Sequence, residues 1–486
     1  MRRSQERKER NFSGPPALSF LLPFIFLLPV PADKAPTTLK QESARRIAAD
    51  VGSVLKRDAV PGATIEVVEN GRVIFRRAYG FRDWEHKTRA MATTRYEIGS
   101  ITKQFTAAAI LQLAEAGKID LDAKVAAYLP LAPHAGEITV RQLLSHTSGL
   151  PDYFDGPTIE VEATKPTTFD QLISRVKNKP LDFPPGTQWS YSNTGYILLG
   201  RLIEVASQDD YKHYVRTHFL GPAGMTNTFT VSEEFKLPNM AIGYWHKDGR
   251  LQRAAVIHDS FGWSAGNLIS TVDDLEKWNR ALRDGKIVSR KTYSLMTTPA
   301  VIEKGAANYG LGLFVESFDN QPRIGHTGGS FGFTTANEYF PKQDVQIIAF
   351  TNSGDGSPEP GERITNAIFE DLFPEIARNA HRGIPGESPA VTALVKDFFA
   401  QLQSGTEKSS DLTAQMDAKM KDGLAKRMLK QFGPFGAPAK FVFQAQRTDP
   451  GAHWYYYLID FGPGASLYFG VSLDDNHKIN HFSFGK

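Results

Sequence analysis

The sequence predicts an α+β protein: an antiparallel sheet flanked by helices and interrupted by a helical insert, followed by a small C-terminal α+β domain. Three observations predict it. Strand-like runs joined by a hairpin signal lie near the start, strand-like runs return between residues 309 and 351, and the stretch from 152 to 290 is mostly helices and loops. Beyond a Gly/Pro-rich segment, a helical stretch and four more strand-like runs form a second, smaller unit.

Residues 1–32 read as a cleaved signal peptide, and so predict an exported, periplasmic or extracellular protein. Arg2, Arg3, Arg7, Lys8 and Arg10 precede the apolar run from Leu18 to Leu28, and Val30-Pro31-Ala32 has the small-residue character of a cleavage site. The run is shorter than the ~20 residues a membrane span needs and is broken by Pro23 and Pro29, so no stable membrane insertion is expected after cleavage. An uncleaved anchor is the alternative.

Residues 33–381 are assigned to the main domain. Residues 38–57 are predicted helical, and Ala63–Val68 and Val73–Tyr79 are predicted strands turning through Asn70-Gly71. From Ser100 the chain runs to Gly117 without Pro or Gly, mostly apolar after Lys103, which predicts a buried helix closed by a glycine cap. Val140–His146 is a short helix ending in a turn, Asn193–Ala206 is a helix, and Asp273–Leu282 is a helix capped from Thr271. Strands are predicted at Tyr309–Val315, Arg323–Gly329 and Val345–Thr351. Residues 382–389 form a linker, and 390–486 an accessory domain with helices to about 431 and strands at Lys440–Arg447, Trp454–Phe461, Ser466–Leu473 and Lys478–Phe484. Its aromatic stripe, Trp454 to Tyr457 with Tyr468 and Phe469, reads as core and cross-strand pairs.

Composition narrows the function. The chain is 41% hydrophobic and 22% charged with a net charge of +3, which is ordinary for a globular protein and gives no reason to expect nucleic acid as a partner. It has no cysteine, which excludes disulfides, thiol catalysis and thiolate metal sites.

Chemistry concentrates at Ser100 and Lys103. Three residues apart on one helix, their side chains share a face, so the amine can reach the hydroxyl. A serine needs a neighbouring base to become a nucleophile, and burial can lower a lysine's pKa far enough to supply one. The same spacing recurs at Ser53/Lys56 and Ser174/Lys177, where charged, amphipathic surroundings predict solvated helix faces. Tyr191-Ser192-Asn193 is the only Tyr-x-Asn: a tyrosine beside a lysine can relay its proton, and an asparagine amide can hold both lysine and substrate. His326-Thr327-Gly328 is the only His-Thr-Gly, on a strand whose Gly328-Gly329 leaves room for a substrate backbone.

In this order the three motifs resemble the signatures of the serine β-lactamase and penicillin-binding-protein superfamily, in its class C, DD-peptidase and family VIII esterase branch. Leu144-Ser145-His146-Thr147-Ser148-Gly149-Leu150 and Ser264-Ala265-Gly266-Asn267-Leu268 add to the likeness, which covers about residues 40–375. The resemblance implies a β-lactamase/transpeptidase-like fold. It implies Ser100 as acylated nucleophile, Lys103 and Tyr191 as shared base and acid, and Asn193 as a positioner. It further implies an oxyanion hole from the backbone N–H groups of Ser100 and Gly329, with His326 and Thr327 contacting a small-molecule or peptide substrate. Class C enzymes carry Lys where this chain has His326, which favours peptidase or esterase chemistry on D-residue peptides or small esters, with weak or no β-lactam hydrolysis. The alternative is a non-catalytic, penicillin-binding-like sensor or scaffold.

Gly262-Trp263-Ser264-Ala265-Gly266 and Gly328-Gly329-Ser330-Phe331-Gly332 match the α/β-hydrolase elbow, but neither lies between an apolar parallel strand and an immediate helix. His258 with Asp259, and His477 with His481, read as loop residues. No metal and no cofactor is expected.

Overall fold

A computed structural model describes residues 39–156, 158–230, 237–247, 250–303, 305–354, 359–406, 408–449 and 451–485. The predicted leader lies outside them. Helix α1 (Gln41–Arg57) leads into strands β1 (Gly62–Glu69) and β2 (Arg72–Asp83) and a short β3 (Thr88–Arg89). Asn70 and Gly71 take φ of 50° and 70°, the left-handed pair a two-residue hairpin turn requires. The buried helix α2 spans Thr102–Glu115, preceded by a 3-10 turn at Gly99–Ile101, and Gly117 ends it at φ 69°. The insert is built around helix α3 (Asn193–Ser207).

Four strands return at β4 (Phe314–Phe318), β5 (Gln321–Ser330), β6 (Phe333–Phe340) and β7 (Val345–Thr351), followed by helix α4 (Pro360–Leu372). The predicted strand at Tyr309 begins only at Phe314. A Cβ on Gly310 would lie 2.0 Å from the Met296 carbonyl oxygen and Gly312 has φ 85°, so this stretch bends against its neighbours before it can pair. The sheet order is β4-β5-β6-β7-β1-β2-β3, with antiparallel pairs throughout. β7 therefore lies between β6 and β1, with Ala63 opposite Thr351.

Alternation along the strands separates two cores. Ile347 and Ala349 join Ile65, Val67, and Ile47 and Val51 of α1 with Ile364 and Ile368 of α4 on one face. Ile348 and Phe350 face the other way, into the core formed by α2, α3 and the insert. The insert also holds short strands that its composition did not announce, among them Leu268–Ser270, which pairs with Tyr96–Glu97 ahead of α2.

After residues 382–388, helix Pro389–Ser404 and helix Ala425–Phe432 pack on a four-stranded antiparallel sheet, β8 (Lys440–Asp449), β9 (Ala452–Asp460), β10 (Ser466–Leu473) and β11 (Ile479–Gly485). Val395, Phe398, Phe399, Phe432, Tyr457 and Phe469 form its own core. The aromatic stripe divides: Tyr457 and Phe469 point inward, while Trp454 and Tyr456 stack on each other at 5.8 Å on the opposite face, with His481 against Trp454. No helix of the described residues is long and apolar enough to cross a membrane.

Candidate active site

Ser100 lies in the 3-10 turn that feeds α2, and the turn is gripped from both sides. Tyr96 and Glu97 pair with Ser270 and Ile269, and the Ile98 N–H donates to the Leu268 carbonyl at 2.9 Å. From the sheet, β5 presses so close that a Cβ on Gly99, which has φ 48°, would lie 2.5 Å from the Gly329 carbonyl oxygen. The room predicted beside Gly328 is filled by this turn, since a Cβ there would meet the Ile98 carbonyl oxygen at 2.0 Å. Open room lies one residue on: Gly329 is exposed, and the nearest atom to an added Cβ is Glu359 Oε1 at 3.5 Å.

Lys103 is fully buried, and its amine donates to Ser100 Oγ at 3.1 Å, Asn193 Oδ1 at 2.8 Å and the Ala265 carbonyl at 2.8 Å. Burial drives its pKa down from 10.5 to about 7, against a smaller opposing pull from Asp152. The amine can therefore exist unprotonated next to the Ser100 hydroxyl near neutral pH.

Asn193 opens α3, and Asp152 fixes it: Asp152 Oδ2 accepts from the Asn193 amide Nδ2 at 2.8 Å and from its backbone N–H at 3.1 Å. Tyr191 stands beside the same amine, with Lys103 Nζ 4.8 Å from its ring centroid. The Tyr191 hydroxyl is buried without a hydrogen bond of its own, and burial holds its pKa well above 10, Ser100 being the neighbour that most eases its ionisation.

His146 holds the Tyr191 segment in place. Its carbonyl accepts from Ser190 N–H at 3.0 Å, its Nδ1 accepts from Ser192 N–H at 3.1 Å, and its ring lies 4.3 Å from the Tyr191 ring. His326 is buried on the far side, with Nε2 2.9 Å from the Tyr309 hydroxyl and Nδ1 2.5 Å from the Thr327 carbonyl. Burial first, and the Lys103 charge second, lower its pKa to about 3. Thr327 is half-buried between His326 and Gly328 on β5. Ser100, Lys103, Tyr191 and Asn193 thus meet in one cluster, while the buried His326 ring, expected to face substrate, stands 6.2 Å from the Tyr191 ring with both nitrogens occupied.

Asp152 and Tyr309 complete the arrangement and carry no sequence signal: each belongs to no motif and meets its partner only through the tertiary fold. His146 and Ala265 lie within stretches the resemblance singled out, without an assigned role. Other serines are held in packing roles. Ser264 Oγ donates to the Tyr196 carbonyl at 2.9 Å, Ser330 Oγ to Glu97, and Ser53 and Ser174 are exposed. His258 caps the helix Asp259–Gly266, its Nδ1 accepting from Ser260 N–H at 3.2 Å.

Comparison with known proteins identifies the family. The family model described as Beta-lactamase matches residues 45–370. A relative from Bacillus subtilis (strain 168), described as "Putative penicillin-binding protein PbpX", is 30% identical over 304 residues, covering 62% of this chain and 73% of that protein. Among solved structures, D-amino acid amidase from Ochrobactrum anthropi SV3, complexed with L-phenylalanine amide, superposes with a TM-score of 0.60 at 26% identity, covering 70% of this chain and 99% of that one. The octameric penicillin-binding protein homologue from Pyrococcus abyssi shares the fold at a TM-score of 0.62 and 23% identity. It covers 89% of this chain and 97% of its own, a share that residues 1–381 alone cannot supply, so the likeness extends into the C-terminal domain. The chain belongs to the Beta-lactamase family, as a serine hydrolase of the penicillin-binding-protein and β-lactamase kind.

Proposed function

We propose that the protein is an exported hydrolase that works through an acyl-enzyme on Ser100, acting on peptides or amides of D-residues or on small esters. The observation that carries this is the Lys103 amine: buried, depressed to about 7 and 3.1 Å from Ser100 Oγ. Unprotonated Lys103 takes the Ser100 proton as Oγ attacks the substrate carbonyl carbon. The resulting oxyanion is received by the backbone N–H groups of Ser100 and Gly329. The proton then passes, with Tyr191 as relay, to the departing amine or alkoxide, leaving an ester on Ser100. Water, activated by the same pair, releases the acid and restores the serine.

Substrate shape follows from β5. Its pairing with β4 ends at Gly325 opposite Phe314, while pairing with β6 continues through Ser330. The β4-side edge from His326 onward is thus available to an extended acyl group, with Gly329 offering the open room. His326, neutral and held by Tyr309 and Thr327, offers no permanent charge to a β-lactam carboxylate, which supports peptidase, amidase or esterase chemistry over efficient β-lactam hydrolysis.

The test incubates residues 33–486, with a Ser100→Ala control, with a fluorescent penicillin, p-nitrophenyl butyrate and D-phenylalanine amide. Ser100-dependent turnover of the ester or the D-amide is the expected result. Stable labelling without turnover would place the chain on the penicillin-binding side, and neither reaction would overturn the proposal in favour of a non-catalytic sensor or scaffold.

A further inference from the structure

Three side chains far apart in sequence meet where the two domains touch. Asp319 is on the tight turn between β4 and β5, where it and Asn320 have φ of 49° and 60°. Glu370 lies in the last turn of α4, and His381 follows the helix Pro374–Ala380, one residue before the linker. One donor atom from each lies within 4.8 Å of the other two, and His381 Nε2 is 3.0 Å from Asp319 Oδ1. From the C-terminal domain, Gly464 N–H donates to Glu370 Oε2 at 3.3 Å, and the Asp460 charge reaches both Glu370 and His381.

Hydrogen bonding leaves this cluster incomplete. The Asp319 side chain is 2% exposed, and its Oδ2 is buried with no hydrogen-bond partner among the described residues. Leaving a buried charged oxygen unmatched costs more than leaving a neutral group so. Three carboxyl groups, those of Asp319, Glu370 and Asp460, surround the one imidazole. Donors bound to zinc at about 2.0–2.2 Å in a tetrahedral site lie roughly 3.3 Å apart, so these atoms need only small movements to share an ion. An imidazole among the donors favours zinc over calcium or magnesium, which take oxygen.

We propose that Asp319, Glu370 and His381 bind a divalent cation of the zinc type, which fastens the β4–β5 turn and α4 to the start of the linker beside the C-terminal domain. The site is independent of the chemistry at Ser100.

The full mature chain, stripped with a chelator and dialysed into metal-free buffer, is titrated calorimetrically with zinc chloride, with magnesium chloride as comparison. Expected are one equivalent of zinc bound at micromolar or tighter Kd, a rise of several degrees in Tm, and at least tenfold weaker binding in His381→Gln and Asp319→Asn variants of unchanged far-UV circular dichroism. Cobalt(II) in place of zinc should give the visible absorption of a four- or five-coordinate ion in the wild-type chain, a readout that stands even if a variant fails to fold. Absence of zinc binding by the wild-type chain, or equal binding by both folded variants, would overturn the proposal and leave His381 and Asp319 as a simple ion pair.

Discussion

Tyr309 donates its hydroxyl hydrogen to His326 Nε2 across 2.9 Å, and this bond fixes the histidine's form. A carbonyl can only accept, so Nδ1 must carry the proton that faces Thr327 O, and Nε2 is left as acceptor. The ring is neutral and occupied at both ends.

Histidine NMR should therefore show no titration of His326 between pH 5 and 8. The unfolded chain, with ordinary histidines near 6.5, binds protons that folded His326 and His146 refuse. Their contribution to stability is thus full above about 6.5 and is lost as pH drops, by about 2 kcal/mol at pH 5 for His326, with His146 acting in the same direction. Urea denaturation at pH 7 and pH 5 measures the difference, and His326→Asn should make the fall shallower.

In the proposed mechanism Lys103 sets the acid limb of activity. With the amine at about 7, kcat/KM for an ester should rise with pH through that value and then level. Asp152 favours the charged amine, so Asp152→Asn should move the limb to lower pH. The buried amine is also a liability to the fold: a fall from 10.5 to about 7 is a preference of roughly 5 kcal/mol against its charged form. Stability should rise with pH between 7 and 10 on this account. Lys103→Met should lose activity at least ~10²-fold, yet raise Tm at pH 7.

Tyr191→Phe separates chemistry from packing. Ser100 is the hydroxyl's one hydrogen-bonding neighbour and the contact is too loose to count as a formed bond, so stability should stay within about 1 kcal/mol, while turnover falls ~10²–10⁴-fold. A large loss of Tm in this variant would show that the hydroxyl is structural.

Adjacent glycines on β5 should respond oppositely. Gly328→Ala drives a Cβ to 2.0 Å from the Ile98 carbonyl oxygen and should either displace the Ser100 turn or cost about 1–3 kcal/mol or more. Gly329→Ala meets nothing nearer than 3.5 Å, so Tm should stay within a few degrees. Thermal melts and Ser100 labelling of the two variants make the comparison.

Much of this was legible because local chemistry decided it. Asn70-Gly71 demanded its hairpin, the apolar run after Lys103 could only be a buried helix, and the cap at Thr271 accepts from Asp274 N–H as its sequence suggests. The Ser100–Lys103 approach was legible from their spacing, although Ser100 lies in the 3-10 turn before α2 and not in the helix itself. What stayed hidden was long-range: Asp152 reaches Asn193 only because two insert segments pack together, and Tyr309 reaches His326 only after Gly310 and Gly312 bend the chain. Gly328 carried a visible signal whose cause, a neighbouring turn, lies more than two hundred residues earlier in the chain.

The placement of β7 beside β1 bears on how the protein is made. The hairpin of β1 and β2 is synthesised early, but its other edge waits for residues 345–351. Until then the sheet that presses β5 against the Ser100 turn cannot close, and the chain must bring together segments separated by most of its main domain. Such non-local pairing is slow to form. A chain of this topology keeps its main sheet open through most of its synthesis, so the Ser100 turn gains its backing strand only near the end.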